Sequence, residues 1–163
     1  MVINYIIGFI DLFYRMFKYN QWFRPSKTDY QTLIGIWEAA VRATHHFLTE
    51  EDITIYKELI LTTYFDEVDL YCCTDENVIT GFLGLSGDTI QMLFIDPKFH
   101  GHGIGKKLIK FAVEDKACTK VDVNEQNKQA VGFYEHLGFV TKQRFHEDAA
   151  GRPYPILAME LNY

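Results

Sequence analysis

Two stretches in the first third of the chain place apolar residues at helical three-and-four spacing. Leu33, Ile34, Trp37, Ala40 and Val41 form one stripe, with Ser26 or Thr28 placed to cap its start and an end expected near His45. Ile53, Tyr56, Leu59, Ile60 and Tyr64 form a second between Thr49 and Phe65, with Glu50, Glu51 and Asp52 in the first turn where the helix dipole favours them. Strand character takes over at Val68–Cys73, Val78–Leu85 and Thr89–Asp96, linked by the turn clusters at 75–77 and 86–88, which predicts an antiparallel meander. Further on, Gly103–Val113 and Asn127–Leu137 read as helices around a strand at Lys120–Val123. Phe139–Phe145 and Ile156–Leu161 read as a closing hairpin around Gly151, and Trp22–Arg24 as a short early strand. The alternation predicts an α/β chain: a mixed sheet with helices packed on its faces.

Residues 1–18 also follow helical spacing, through Ile3, Ile6, Ile7, Ile10, Phe13, Tyr14 and Phe17, interrupted by Asn4, Asp11 and Arg15. That run is too short and too interrupted for a membrane span, and it has neither a basic leader nor a small-residue cleavage site, so no signal peptide is expected. An amphipathic helix docked on the domain or on a second subunit is preferred to a membrane-surface anchor, which would carry more Lys and Arg. A natural start at Met16 is the third reading. The expected organisation is this extension followed by one domain over residues 19–163.

Composition narrows the partners. The chain has 163 residues, 48% of them hydrophobic, enough for one ordinary core. A net charge of −6 leaves no basic field for a nucleic-acid backbone. Its three cysteines include the adjacent Cys72 and Cys73, whose side chains point to opposite faces of a strand, so no disulfide framework is implied and a reducing cytoplasm is the expected compartment. No metal site is expected: His100 and His102 stand two apart and the neighbouring cysteines lack a usual zinc spacing.

The candidate chemistry begins at the junction of the third meander strand and the following helix. Phe99-His100-Gly101-His102-Gly103-Ile104-Gly105-Lys106-Lys107 carries three glycines at alternating positions. Such a turn lets backbone approach a ligand, and the free N–H groups of the next helix attract an anion. A dinucleotide fingerprint needs glycine in place of Lys106, and a Walker A loop needs glycine in place of His100 and Ser or Thr in place of Lys107. A phosphate-bearing cofactor of another kind is therefore indicated, although a tight turn without a ligand has the same glycines.

About twenty residues on lies Val121-Asp122-Val123-Asn124, then Asn127, Ala130, Phe133-Tyr134 and Gly138-Phe139. Together the two blocks resemble the GNAT superfamily of acetyl-CoA-dependent N-acetyltransferases, and the resemblance covers Trp22 to Leu161 in element order. Its first block is Arg or Gln, two residues, Gly, one residue, then Gly or Ala; His100, Gly103 and Gly105 occupy those positions. His100 is the departure, and its imidazole would make cofactor affinity sensitive to pH where His titrates, unless it faces solvent and the backbone alone binds, the preferred version.

The resemblance implies a three-layer fold with a mostly antiparallel sheet of about seven strands, splayed at the cofactor. It implies acetyl-CoA as donor, no metal, and direct attack by a primary amine in a ternary complex, without an acyl-cysteine. Leu93, Phe94 and Ile95 would pair with the pantetheine arm, while His100, Gly101, His102, Gly103, Ile104, Gly105 and Lys106 would hold the diphosphate. Asn124, Asn127, Ala130 and Phe133 would complete the cofactor site. Tyr134 would be the general acid for the departing thiolate.

The segment Ala43-Thr44-His45-His46-Phe47-Leu48 resembles one found in a bacterial branch of the family, and makes His45 the candidate for base or acceptor contact, against a helix C-terminal cap. Asp66, Glu67 and Asp69 could attract a cationic amine, but a charge run is usually a solvated loop. The acceptor is a small molecule, a protein N-terminus or a lysine, and a homodimer is compatible. A catalytically silent acyl-CoA sensor is the competing function.

Overall fold

The computed structural model describes residues 19–162; the expected helix over residues 1–18 and the Met16 alternative lie outside them. Seven strands form one sheet: β1 (Tyr19–Phe23), β2 (Asp69–Asp75), β3 (Val78–Ser86), β4 (Thr89–Ile95), β5 (Lys120–Asn124), β6 (Phe139–Phe145) and β7 (Ile156–Leu161). Their order is β1-β2-β3-β4-β5-β7-β6, and every neighbouring pair is antiparallel except β4 with β5. That parallel contact has two rungs, Thr89 with Lys120 and Ile90 with Val121.

The strands part where β4 carries a bulge. Leu85 pairs with Ile90 and Gly84 with Met92, which leaves Gln91 as an extra residue. A bulge bends its strand and increases its local twist, so β4 turns away from β5 just beyond their last rung.

Helices cover both faces, as expected. On one face lie α1 (Tyr30–Thr44) and α2 (Glu50–Leu59), the latter continuing through a π-turn at Ile60–Tyr64 into a final turn at Phe65–Glu67. Ser26 accommodates the approach to α1: its backbone N–H donates to Asp29 Oδ2 at 2.8 Å across a 3-10 turn. The predicted stripe is buried, with Leu33 at 0% and Trp37 at 4% exposure, against Cys72, Phe82 and Leu70. On the other face, α3 (Ile104–Glu114) and α4 (Lys128–His136) bury Leu108, Ile109 and Tyr134 against Cys73, Leu83, Val121 and Phe139. Cys72 and Cys73 thus enter different cores, as their adjacency in a strand requires, and all three cysteines are free and buried.

β3 sits between the two cores and is buried from Thr80 to Leu85, so its sequence is apolar without alternation. Gly81 lies opposite Ile95. A Cβ there would come within 2.8 Å of the Phe94 carbonyl oxygen and 2.7 Å of Ile95 Cδ1, so a side chain would push β4 off its neighbour. Gly81→Ala is predicted to lower stability by about 1–3 kcal/mol in urea denaturation. Gly35→Ala, where a Cβ meets nothing within 4 Å in a helix, is predicted to be neutral or stabilising by about 1 kcal/mol. Equal losses at both glycines would contradict this packing.

Candidate active site

The parting of β4 and β5 opens a cavity of about 460 Å³ on the side of α3 and α4. Leu93, Phe94 and Ile95 form one wall, and because β4 has left β5, its backbone groups turned away from β3 have no ladder partner there. At the end of β4, Asp96 caps a 3-10 turn by accepting from Lys98 N–H at 3.0 Å. The chain then reverses through Gly101 (φ 80°) and Gly103 (φ 74°), both in the left-handed region that favours glycine.

Gly103 starts α3, and its carbonyl accepts the first helical bond, from Lys107 N–H at 3.1 Å. The amides of Ile104, Gly105 and Lys106 are therefore left facing outward at the positive end of the helix dipole. Gly105 faces the Phe133 ring, which a Cβ there would meet at 3.4 Å, an ordinary contact distance.

Across the groove, Asn127 caps α4, its side-chain oxygen accepting from Ala130 N–H at 3.1 Å, which leaves its amide hydrogens as donors. Ala130, Phe133 and Tyr134 line the same cavity. The Tyr134 ring is 6% exposed and packs edge-on to Phe133 and Phe139. Burial pushes its phenol above the ordinary value. It is protonated at neutral pH, and its hydroxyl has no hydrogen-bond partner among the described residues.

A second cavity of about 490 Å³ lies on the other face, between α1, α2 and the β6–β7 connection. Trp37, Phe47, Tyr56, Tyr64, Phe94, Phe145 and Tyr154 give it aromatic walls, and Asp122, Glu147 and Asp148 give it carboxylates. No Lys or Arg is among the residues that line it. Asp122 is an exposed residue with no hydrogen-bond or ion-pair partner among the described residues, and partial desolvation raises its carboxyl pKa.

His45 and Phe94 line both cavities and so mark their meeting point. The Thr44 hydroxyl donates to Ala40 O at 2.8 Å and therefore accepts from His45 Nδ1, also at 2.8 Å. This assigns the imidazole proton to Nδ1 and leaves the Nε2 lone pair unused. Burial, followed by the nearby His46, pulls the His45 pKa down from 6.5 to about 4. The ring is neutral at physiological pH.

The sequence and the fold are both similar to those of known proteins. A family model described as acetyltransferase (GNAT) domain matches residues 66–141. The peptidyl-lysine N-acetyltransferase YjaB of Salmonella typhimurium is 41% identical over 135 residues, spanning 82% of this chain and 92% of that protein. Its Escherichia coli namesake is 39% identical over 82% of this chain and 91% of its own. The solution structure of apo-form YjaB from E. coli has a TM-score of 0.80 at 36% identity, covering 86% of this chain and 96% of that one. The chain belongs to the GNAT family of N-acetyltransferases. The fold is also that of the PaiA N-acetyltransferase from Thermoplasma acidophilum in complex with coenzyme A, with a TM-score of 0.69 at 19% identity over 88% of this chain and 99% of that one.

Within this GNAT frame, most residues singled out from the sequence converge on the groove: Leu93, Phe94, Ile95, His100, Gly101, Gly103, Ile104, Gly105, Lys106, Asn127, Ala130, Phe133, Tyr134 and His45 all line it. Two do not. His102 turns back on its own loop, where Nδ1–H lies 3.1 Å from Phe99 O and 3.0 Å from His100 O. Asn124 lines the aromatic cavity instead, and its side-chain oxygen accepts from Gln126 N–H at 2.8 Å. His100 is exposed at the groove, with Nε2 3.3 Å from Ile95 O. Asp66 pairs with Lys27 and Tyr30, and Asp69 with Arg24, so the acidic run is engaged at the surface, away from either cavity.

The sequence reading passed over Gln91, Asp122 and Tyr56 as site residues; the closing hairpin around Gly151-Arg152-Pro153-Tyr154, where it looked for acceptor specificity, does contribute to the aromatic cavity, through Tyr154. For Asp122 a signal existed: between Val121 and Val123, both turned into the core, a lone carboxylate points to the opposite face. Among the described residues, no group of three His, Cys, Asp or Glu gathers to hold a metal ion, and no helix is long and apolar enough to cross a membrane.

The His45 environment sets a pH dependence. Unfolded chain takes up the imidazole proton near 6.5 and folded chain near 4, so between those values the unfolded state binds more protons. Stability is predicted to fall as pH drops from 6.5 to 4, with no His45 contribution to the slope above 6.5. His45→Gln should show a shallower fall in urea midpoints over that window; identical slopes would contradict the buried, neutral ring.

Proposed function

We propose that the chain transfers the acetyl group of acetyl-CoA to a cationic primary amine, directly and in a ternary complex. The observation that carries this reading is the junction at His45 and Phe94, where a groove with unpaired strand backbone and free helix amides meets a cavity walled by aromatic rings and carboxylates. Acetyl-CoA supplies an activated acetyl group, and the residues of the groove suit it. The amides of Ile104, Gly105 and Lys106 and the Lys106 side chain would hold its diphosphate, the free edge at Leu93–Ile95 would bond its amide-bearing arm, and Phe133 would pack on it. A main-chain N–H of that edge would polarise the carbonyl under attack.

The second cavity suits an ammonium group, which is attracted both by carboxylates and by aromatic faces. A lysine side chain fits it, in line with the peptidyl-lysine relatives; a protein N-terminus and a small polyamine share its chemistry. The amine must lose a proton before it attacks. Asp122, a carboxylate on the wall of the aromatic cavity with no partner among the described residues, is assigned that proton on its placement. His45 Nε2 is assigned contact with the amine at the junction. Tyr134 gives its phenol proton to the leaving thiolate and is restored by the second proton, which the attacking nitrogen sheds as the tetrahedral intermediate collapses; amide and thiol leave neutral, and the one surplus proton passes from Asp122 to solvent. Cys72, Cys73 and Cys118 are buried, and burial raises their thiol pKa values, which accords with transfer that needs no cysteine nucleophile.

Thiol release from acetyl-CoA, measured with blocked lysine peptides, free N-terminal peptides and polyamines, tests the reading. Turnover is expected with at least one cationic amine, and Tyr134→Phe is expected to lower kcat by about 10²–10⁴. Asp122→Asn should lose most activity near neutral pH, where the carboxylate is ionised and the amine still carries its proton, and least at alkaline pH, where the amine is already deprotonated. A rise in melting temperature with acetyl-CoA but no turnover on any amine would instead identify a silent acyl-CoA-binding module, and no rise at saturation would reject both.

A further inference from the structure

One wall of the aromatic cavity comes from the connection between β6 and β7, which contributes Glu147, Asp148, Ala149, Ala150 and Tyr154. A loop of this length would ordinarily be mobile at its tip. Here it is tied down from two sides. Asp148 organises it internally, its Oδ1 accepting from the N–H groups of Ala150 and Arg152 at 2.9 Å each, and Gly151 takes φ 71° to close the turn. Tyr56, on the second turn of α2, donates its hydroxyl to Asp148 Oδ2.

The other tie runs to Asp52, a carboxylate only 3% exposed in the first turn of α2. Its Oδ1 accepts from Arg152 Nη1 at 2.5 Å, and its Oδ2 from the Tyr154 hydroxyl and from Thr49 Oγ1 at 2.7 Å. A carboxylate at this position would complete a capping box with Thr49 alone. Two further donors reach it across 100 and 102 residues of sequence, from the loop that closes the cavity. A buried charge with that many donors is costly to leave unpaired on either side, so the helix start and the loop hold each other.

We propose that Asp52 is a positioning residue for the acceptor: through Arg152 and Tyr154 it fixes the β6–β7 loop as a wall of the amine-binding cavity, without touching the cofactor groove. The assignment rests on the aromatic cavity being the acceptor site. None of Asp52, Arg152 and Thr49 lines either cavity, so their effect on acceptor binding passes through the loop.

The test compares Asp52→Asn, Arg152→Gln and Thr49→Ala with wild type. Thr49→Ala removes the helix cap but keeps the tie, and so controls for damage to the start of α2. Two readouts are taken: amide hydrogen exchange at Asp148, Gly151, Arg152 and Tyr154, and separate KM values for acetyl-CoA and for a blocked single-lysine peptide. Asp52→Asn and Arg152→Gln are expected to speed loop exchange and to raise the peptide KM by about tenfold to a hundredfold, the usual loss of a charge-assisted bond, while the acetyl-CoA KM stays unchanged. Thr49→Ala is expected to do neither. Unchanged loop exchange, equal effects from Thr49→Ala, or parallel rises in both KM values would overturn the proposal. If wild type leaves the lysine peptide untouched, lysine fails as the acceptor class, and the exchange comparison still decides whether Asp52 holds the loop.

Discussion

Backbone polar groups that leave a sheet must find another partner, and the site is built around one such departure. β4 and β5 share two rungs and then separate at the Gln91 bulge. An unpaired strand edge inside a concave, partly apolar cleft is an invitation to a ligand with its own amides. The same separation opens the sheet from one face to the other, which is why a groove on the α3–α4 side and a cavity on the α1–α2 side meet at His45 and Phe94. Gly81 belongs to this device, because only a residue without a side chain lets β3 hold β4 so closely as it bends away.

The two sides of the junction differ in charge in the way the chemistry needs. The groove ends on helix amides and Lys106, suited to an anion; the cavity is lined with carboxylates and aromatic rings, suited to a cation. Donor and acceptor would approach from opposite faces and meet at the fork. Tyr134 lines the groove and Asp122 the cavity, and neither side chain has a hydrogen-bond partner among the described residues, so in the proposed transfer the two proton steps would fall to different groups.

Much of this was legible before the fold was seen. Helical spacing marked the stripe Leu33 to Val41, and glycine chemistry marked the turn at Gly101 and Gly103, because both follow from local rules. The groove residues were legible through their motif positions. Asn124 and His102 lie outside the groove because a motif gives order along the chain but not the direction of a side chain: Asn124 alternates with Val123 and turns to the aromatic cavity, and the His102 ring satisfies its own loop. The ties that hold the hairpin wall of the aromatic cavity were the least legible part. Asp52 reads locally as a first-turn acid, and nothing near it announces partners at Arg152 and Tyr154. The Gln91 bulge was equally silent, since an extra residue in a strand becomes visible only through its partner's register.

The account stands or falls on the strand fork as the acetyl-CoA site. Titrating isotopically labelled chain with acetyl-CoA while following backbone amide shifts tests this directly. The largest changes are predicted at Leu93 to Ile95, Gly101 to Lys106 and Phe133, with small changes at Glu147 to Tyr154. Shifts concentrated in the aromatic cavity, or absent from the β4 edge, would contradict it.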